Sequence, residues 1–360
     1  MTEQHSTSAA SGLPGQQVYV TNDEDAPGVH HLGYRSWAGE RTLGWTRWMV
    51  ISNVGVRRAW VSFWVRRLLF FASLPAIWFG VLFFLWEQAT LYSEWRGFLI
   101  PMLNGLPPTP DFEGIREAVL TGNMESSRHT VWASLLLTFF RYPQAVLMVL
   151  MIGLIAPPMI SQDIRSRAFL LYFSRPLTRG EYVLGKLATI WAYLAMISAM
   201  PALVLYVLGV VFSPNLSVVL STWDLPLRII LATIVLMLPT SMLALAMSSL
   251  TQESRYAGFA WFAVWILGWF TYGAASTAEA FNAQQAYFEQ QRNMNPHSVI
   301  VMHESSWTYI SLYHTLGRVQ RWVFGFGEFS EAAVPLLIVT AVTLGSWAIL
   351  YRRISAPMRI

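Results

Sequence analysis

Residues 180–186 place two glycines and a lysine in the G-x-x-x-x-G-K spacing of a phosphate-binding loop. In that loop, backbone N–H groups and the lysine hold phosphates, and a Ser or Thr after the lysine binds magnesium. Here Leu187 takes that last position, and no strand-like segment precedes the glycines. We therefore predict that the chain has no ATP site of its own. Lys186 is predicted to mark the cytoplasmic start of an apolar segment, with its ammonium near lipid phosphates.

Histidine and carboxylate side chains could instead bind a metal. His297, His303 and His314 share one long segment, and Glu304 follows the second of them. Spacings of six and eleven residues match no strong metal-binding pattern, so solvated or interfacial histidines are favoured over a metal site. The chain has no cysteine, which excludes disulfides, thiolate metal ligands and a cysteine nucleophile.

One further charged pair, Asp224 and Arg228, lies four residues apart at the start of an apolar segment. Because this spacing is about one helical turn, the two side chains are predicted to form an ion pair, with a substrate contact as the alternative. No apolar segment has a clear charged residue, paired carboxylates or a histidine cluster in its interior. This argues against an ion-coupled transporter and an intramembrane enzyme, and it favours an apolar or amphipathic passenger, or none.

The densest group of charges, residues 161–186, lies between two long apolar segments. A charged side chain at the centre of a bilayer costs about 2.5–3.5 kcal/mol, so this segment must lie in water at a membrane face. A stripe at helical spacing runs through it as far as Pro176, which lacks an N–H and ends the helix. The members of this stripe are Ile164, Ala168, Leu171, Tyr172 and Arg175. Periodicity alone leaves two uses open: a helix that docks a partner protein, or one that lies in the headgroups.

The elements around this segment are predicted to be membrane spans. Hydrophobic residues make up 54% of the 360 residues and charged residues only 12%, against about 25% in soluble domains. Six apolar segments are each long enough to cross a core of about 30 Å: 68–87, 143–161, 187–212, 226–250, 257–275 and 332–351. Beginning the second span at Pro143 keeps Arg141 at the interface and makes residues 131–140 an outer-face helix. One tilted helix of about thirty residues is the alternative.

The remaining segments divide into a tail, a surface helix and loops. Residues 1–40 lack apolar periodicity and are predicted to be a mobile cytoplasmic tail. Residues 41–67 interleave Trp with Arg, which predicts an amphipathic helix in the membrane plane. Residues 68–360 form the predicted six-span domain, with an inner loop at 161–186 and outer loops at 88–130 and 276–331.

The distribution of Arg and Lys predicts the orientation. With the N-terminus inside, sixteen of these residues lie on the cytoplasmic side and six on the outer side. This bias places both termini and the inner loop in the cytoplasm of a multi-pass protein, with a bacterial inner membrane as the expected location. The net charge of +4 does not indicate nucleic-acid binding, because Lys is almost absent and the Arg residues are scattered among the spans.

Residues 156–187, APPMISQDIRSRAFLLYFSRPLTRGEYVLGKL, closely resemble the first cytoplasmic loop of ABC-2 type permeases, the membrane subunits of ATP-binding-cassette transporters. The shared pattern is an acidic residue, a basic residue, an apolar helix, a Ser-Arg-Pro turn, an acidic–aromatic pair and Gly-Lys. In this chain the elements are Asp163, Arg165, residues 169–173, residues 174–176, Glu181-Tyr182 and Gly185-Lys186. A looser resemblance extends from Gly33 to the C-terminus.

The resemblance implies an all-α integral membrane protein with six transmembrane helices. An N-terminal interfacial amphipathic helix and outer-leaflet helices between spans five and six complete that fold. The helix in the coupling loop 161–186 would dock on a separate cytoplasmic ATPase, which would bind ATP and magnesium, so this chain would hold no cofactor. The implied contact residues are Gln162, Asp163, Ile164, Arg165, Arg167, Phe169, Leu171 and Arg175.

The resemblance also implies an assembly and a function. The chain would pair with a second permease copy or a paralogue, and it would couple ATP hydrolysis to export of an apolar or amphipathic substrate. A mechanical transmitter is the alternative, in which the chain moves no solute and passes ATPase motion to a periplasmic protein through residues 276–331. The lipid bilayer is a further expected partner.

Overall fold

The computed structural model describes residues 46–99, 119, 121, 124–173, 177–292 and 306–355. Several sequence-based expectations fall on other residues and lie outside the described part: the tail 1–40, the Ser-Arg-Pro turn 174–176 with Arg175, and the residues His297, His303 and Glu304. The described residues form helices and turns and contain no strand.

Helices are numbered in chain order. They are α1 Arg47–Trp60, α2 Phe63–Leu91, α3 Arg128–Arg165, α4 Ala168–Phe173, α5 Arg179–Phe212, α6 Leu225–Leu250, α7 Ser254–Arg292, α8 Leu312–Phe324 and α9 Phe329–Ser355. Short helical turns lie at Ser93–Trp95, Val218–Ser221 and Ser306–Ile310. Within the described part, α2, α3, α5, α6, α7 and α9 are long and apolar enough to cross a membrane, which confirms six candidate spans in an all-α protein.

The second span, α3, is one helical path of 38 residues rather than a helix that begins at Pro143. A π-helical turn, Phe140–Gln144, contains Pro143. The wider turn accommodates the proline ring and its missing N–H, so the helix continues through it. The preceding residues Val131, Trp132 and Leu136 are fully buried within the same helical path. The helix therefore does not begin at Pro143, in agreement with the alternative of one long helix, and the depth at which it enters the membrane stays a prediction.

The predicted surface helix is divided in two. α1 ends at Trp60 and α2 begins at Phe63, so the arginines at 66 and 67 belong to the first span. α1 packs along α5, where a Cβ on Gly185 would lie 2.9 Å from the Trp48 carbonyl oxygen. The absence of a side chain at Gly185 therefore permits this close approach. The position of α1 in the membrane plane stays a prediction.

The C-terminal end of span five also differs from the expected pattern. α7 continues as one helix from Ser254 to Arg292, so the polar segment after residue 275 is an extension of the span rather than a separate helix. α8 follows, packed against α6 and α9, and ends at Gly325 with φ +89°. Glycine suits this left-handed position because it has no Cβ. The structure thus contains a helix between spans five and six, and its place in the outer leaflet stays a prediction.

The centre of the bundle is α6, which contacts α3, α5, α7, α8 and α9. Small side chains on α6 are buried against these neighbours, among them Ala232, Ala244 and Ser248. Small residues let helices approach closely in a membrane, where packing rather than a hydrophobic driving force holds them together. α6 therefore positions the ends of α3 and α7 at one side of the bundle.

Candidate functional site

The corner between α3 and α4 carries the exposed residues of the coupling loop. α3 ends at Arg165, and α4 begins at Ala168 after two intervening residues. The turn is made by Arg167 in the left-handed region, with φ +52°. Left-handed backbone costs a non-glycine residue roughly 1–2 kcal/mol, so packing on both sides must hold this turn. The expected single amphipathic helix is therefore divided between the end of α3 and the short helix α4, which meet at this turn.

The inner side of this corner is held by a buried ion pair. Lys186 Nζ on α5 lies 2.6 Å from Asp163 Oδ2 on α3, and the Tyr182 hydroxyl donates to the same oxygen at 2.7 Å. Lys186 Nζ also donates to the Met159 carbonyl oxygen at 2.8 Å. Buried charges are stable only when paired and hydrogen-bonded, and these three contacts meet that need. The expectation that Lys186 lies among lipid headgroups is therefore wrong.

The G-x-x-x-x-G-K segment is helical. Thr178 caps α5, because its hydroxyl accepts from the Glu181 N–H at 3.2 Å and Glu181 Oε2 accepts from the Thr178 N–H at 2.7 Å. This reciprocal capping box starts α5 at Arg179. The glycines at 180 and 185 consequently lie in the first turns of a helix, and the open backbone nest of a phosphate loop is not formed here.

The implied ATPase contacts differ in exposure. Arg165 and Arg167 are exposed, whereas Gln162 and Ile164 are half-buried. Asp163 and Phe169 are 6% exposed, and the Phe169 ring packs on Tyr182 with 5.4 Å between centroids. The side chain of Leu171 and all of Arg175 lie outside the described part. Among the described residues of this set, Arg165 and Arg167 are therefore the most accessible to a partner, with Gln162 and Ile164 partly accessible.

The exposed corner is tied to the connection between α6 and α7. Arg165 Nη1 lies 3.3 Å from Glu253 Oε1, a solvent-exposed pair of the kind that contributes about 0–1 kcal/mol. A stronger link is buried: Ser248 Oγ accepts from the N–H groups of Ile160 and Ser161, both at 3.1 Å, and donates to the Pro157 carbonyl at 2.7 Å. Sequence reasoning missed Ser248, although a serine pair near the end of an apolar span is a recognisable signal for interhelical hydrogen bonds.

A second polar cluster lies at the opposite end of the bundle. The predicted pair is confirmed, with Arg228 Nε 2.6 Å from Asp224 Oδ2. His129 Nε2 on α3 lies 2.9 Å from Asp224 Oδ1, and Arg228 Nη1 donates to the Val323 carbonyl of α8 at 2.9 Å. Burial raises the pKa of Asp224, but hydrogen bonds and charge from His129 and Arg228 outweigh it and hold the pKa below its usual range. The cluster joins α3, α6 and α8.

Two charged residues lie within candidate spanning helices, at positions that the sequence analysis placed at the edges of spans. Glu87 on α2 is fully buried, 3.2 Å from Arg128 Nε and 3.0 Å from Trp132 Nε1. Arg141 lies within α3, in the π-helical turn. Glu87 was missed because it is the last residue of the expected span, and its partner lies beyond a long loop in the sequence.

His314 is buried rather than solvated. It is 9% exposed, its Nδ1 lies 2.9 Å from Ser311 Oγ, and its ring stacks on Tyr272 with 3.5 Å between centroids. Burial, followed by the positive charges of Arg141 and Arg318, lowers the pKa of His314 to about 4. The imidazole is therefore neutral at physiological pH.

Comparison with known proteins identifies one relationship. A family model described as "ABC-2 family transporter protein" matches residues 22–353. This range covers every described helix except the last residues of α9. No curated protein and no solved structure matches the chain.

Proposed function

Because the chain belongs to the ABC-2 transporter family, we propose that it is a permease subunit driven by a separate ATPase that docks at the corner between α3 and α4. The observation that carries this proposal is that the corner has an exposed surface and is anchored on its inner side by buried polar contacts. Arg165 and Arg167 are exposed and Ile164 is half-buried, while Asp163 is bound to Lys186 and Tyr182 on the inner side. Because this surface is anchored to the rest of the bundle, a displacement imposed on it by the ATPase would be transmitted to α3.

The push would travel along α3. At about 1.5 Å per residue, its 38 residues span about 57 Å, from the corner to the polar cluster around Asp224. Two places along α3 can bend: the π-helical turn at Phe140–Gln144, and the Pro157-Pro158 pair below it. Ser248 connects one end of α3 to α6, and Asp224 connects the other end to α6 and α8, because it binds both His129 of α3 and Arg228. Movement of the corner would therefore tilt α3 and its neighbours.

Asp163 takes a different role in this proposal from the one its sequence position implies. Its carboxylate is buried and bound within the chain, so we assign it as a positioning residue rather than an ATPase contact. The contacts would come from Ile164 in an apolar groove of the ATPase and from the guanidinium groups of Arg165 and Arg167. The transported substrate would be apolar or amphipathic and would move outward.

A mechanical transmitter is the second candidate function, and α7 favours it. Its 39 residues span about 58 Å, whereas a membrane core is about 30 Å thick. One helix could therefore cross the membrane and extend about 25 Å beyond it, toward a periplasmic partner. Shortening the segment that follows residue 282 separates the two functions. Loss of partner binding with intact substrate flux would favour transmission, and loss of flux would favour export.

The docking proposal is tested by charge reversal at the corner. The double substitution of Arg165→Glu with Arg167→Glu should abolish co-purification of the ATPase and its stimulated ATP hydrolysis. Arg353→Glu is the matched control, because Arg353 is an exposed arginine at the end of α9. Full recovery of the ATPase with the double variant, together with normal hydrolysis, would refute docking at this corner.

A further inference from the structure

A cavity of about 200 Å³ lies beside the coupling corner, between α1, α2, α3 and α5. Typical pockets for small molecules measure about 300–1,000 Å³, so this one would hold part of a ligand whose remainder extends out through its open side. Its lining has two parts. Polar side chains form one end, namely Arg58, Gln162 and Lys186. Apolar side chains form the other end, namely Val65, Leu154 and Ile155.

The polar end has an uncompensated positive charge. Lys186 is neutralised by Asp163 at 2.6 Å, so the net charge comes from Arg58. Arg58 is exposed and donates to Gln162 Oε1 at 2.5 Å through one Nη atom, which leaves further N–H groups for a ligand. No acidic side chain in the described part of the chain lies within ion-pair distance of Arg58.

The opening of the cavity is also surrounded by positive charge. α1 contains no Asp or Glu, and three more exposed arginines lie near the junction of α1 and α2: Arg57, Arg66 and Arg67. Exposed aromatic side chains lie among them, including Trp60, Phe63 and Trp64. Arginine with aromatic rings at an apolar surface is the combination that binds the headgroup region of an anionic membrane.

We propose that this cavity binds one anionic phospholipid from the leaflet nearest the corner. The lipid phosphate would lie at Arg58, and the first part of an acyl chain would enter between Val65, Leu154 and Ile155. A zwitterionic lipid suits the site less well, because its ammonium would meet the arginines around the opening. A free anion suits it less well too, because the apolar end would then remain empty.

Occupancy of this site would affect the coupling corner directly. Gln162 lies in the last turn of α3, one residue before Asp163, and it is the residue that Arg58 holds. A phosphate at Arg58 would fix α1 against α3 at the point where the ATPase is proposed to push. This regulatory consequence rests on the proposed docking function, whereas the binding itself does not.

Binding is measured on the purified permease in a neutral detergent, as protection against thermal unfolding. The probes are short-chain phosphatidylglycerol, short-chain phosphatidylcholine and inorganic phosphate. Only phosphatidylglycerol should protect, because it alone combines a net negative charge with an acyl chain. Equal protection by phosphatidylcholine, or protection by inorganic phosphate alone, would overturn the proposal.

Two variants locate the binding. Arg58→Gln should raise the half-saturating concentration of short-chain phosphatidylglycerol about tenfold, the equivalent of losing one charge-assisted hydrogen bond. Arg57→Gln is the matched control, since Arg57 is the neighbouring exposed arginine on α1 and does not line the cavity. An equal loss in both variants would mean diffuse surface attraction and would refute a discrete site.

Two further variants guard against misfolding and test the apolar end. Arg58→Lys keeps the charge and should retain binding within a few fold, so failure of both Arg58 variants to bind would contradict a role for charge. Leu154→Trp fills the apolar end at a half-exposed position and should weaken binding without a change in charge. Unchanged binding in Leu154→Trp would exclude the acyl chain from this cavity.

The effect of lipid binding on the ATPase is measured in the assembled transporter. ATP hydrolysis should be faster in phosphatidylcholine vesicles that contain phosphatidylglycerol than in phosphatidylcholine alone, and Arg58→Gln should remove that difference. If the permease binds phosphatidylglycerol but hydrolysis does not respond, regulation is wrong and binding stands. If the ATPase does not dock at the corner at all, the docking proposal fails, and the detergent measurement still decides the lipid site.

Discussion

Asp163 Oδ2 and Lys186 Nζ lie 2.6 Å apart and join α3 to α5 beside the corner between α3 and α4. Both side chains are nearly buried, at 9% and 13% exposure. The Tyr182 hydroxyl shares the same carboxylate oxygen. Asp163, Tyr182 and Lys186 of the sequence motif therefore form one hydrogen-bonded unit within the chain.

Breaking this ion pair from one side should destabilise the protein strongly. Lys186→Met or Asp163→Asn leaves the other side chain buried without its full partner, at an expected cost of about 3–5 kcal/mol. The double variant removes both charges and should recover most of that loss. Thermal unfolding of the purified permease in detergent measures all three. Single variants that unfold at the wild-type temperature would show that the pair is solvated and contributes little.

The sequence predicted the spans well because membrane insertion depends on local composition. All six apolar segments lie within helices that are long enough to span, and Asp224 pairs with Arg228 as its spacing indicates. The errors concern contacts made by packing. Lys186 was placed in the headgroups because its partner Asp163 comes close only when α3 and α5 pack together. Likewise, Pro143 predicts a helix end, but the π-helical turn accommodates it.

The link between α3 and α6 depends on Ser248. Ser248→Ala should leave the N–H groups of Ile160 and Ser161 without their side-chain acceptor, at a cost of about 1–3 kcal/mol. Ser249→Ala is the matched control, because the Ser249 hydroxyl donates only within its own helix, to Ala246. Amide hydrogen exchange in residues 157–165 should accelerate in the first variant and not in the second. Equal exchange in both would show that the end of α3 is held by other contacts.

Acid should destabilise the packing of α8 through His314. Its pKa is about 4 in the folded protein and 6.5 in the unfolded chain, so the unfolded state binds more protons between these values. The stabilisation that comes from the neutral His314 is therefore fully present above pH 6.5, and it is lost as the pH decreases toward 4. The groups that face the imidazole are Arg141, Arg318, Ser311, Tyr272 and Tyr313.

His314→Gln isolates this contribution, because glutamine does not titrate in this range. The difference in unfolding temperature between wild type and His314→Gln should shrink as the pH is lowered from 7 to 4. A difference that stays constant with pH would show that His314 has the same proton affinity in both states, and the burial argument would be wrong.

The packing of α1 on α5 predicts opposite effects for two alanine substitutions in the same helix. A Cβ on Gly185 would lie 2.7 Å from the Ile51 Cβ and 2.9 Å from the Trp48 carbonyl oxygen, so Gly185→Ala must push α1 away. A Cβ on Gly180 meets no atom within 4 Å, so Gly180→Ala should stabilise α5 by about 0.4–1 kcal/mol through the unfolded chain. Gly185→Ala should instead lower the unfolding temperature and increase proteolysis between α1 and α2. Stabilisation by both substitutions would mean that α1 is loosely attached, and a firm link from α1 to the coupling corner would then be untenable.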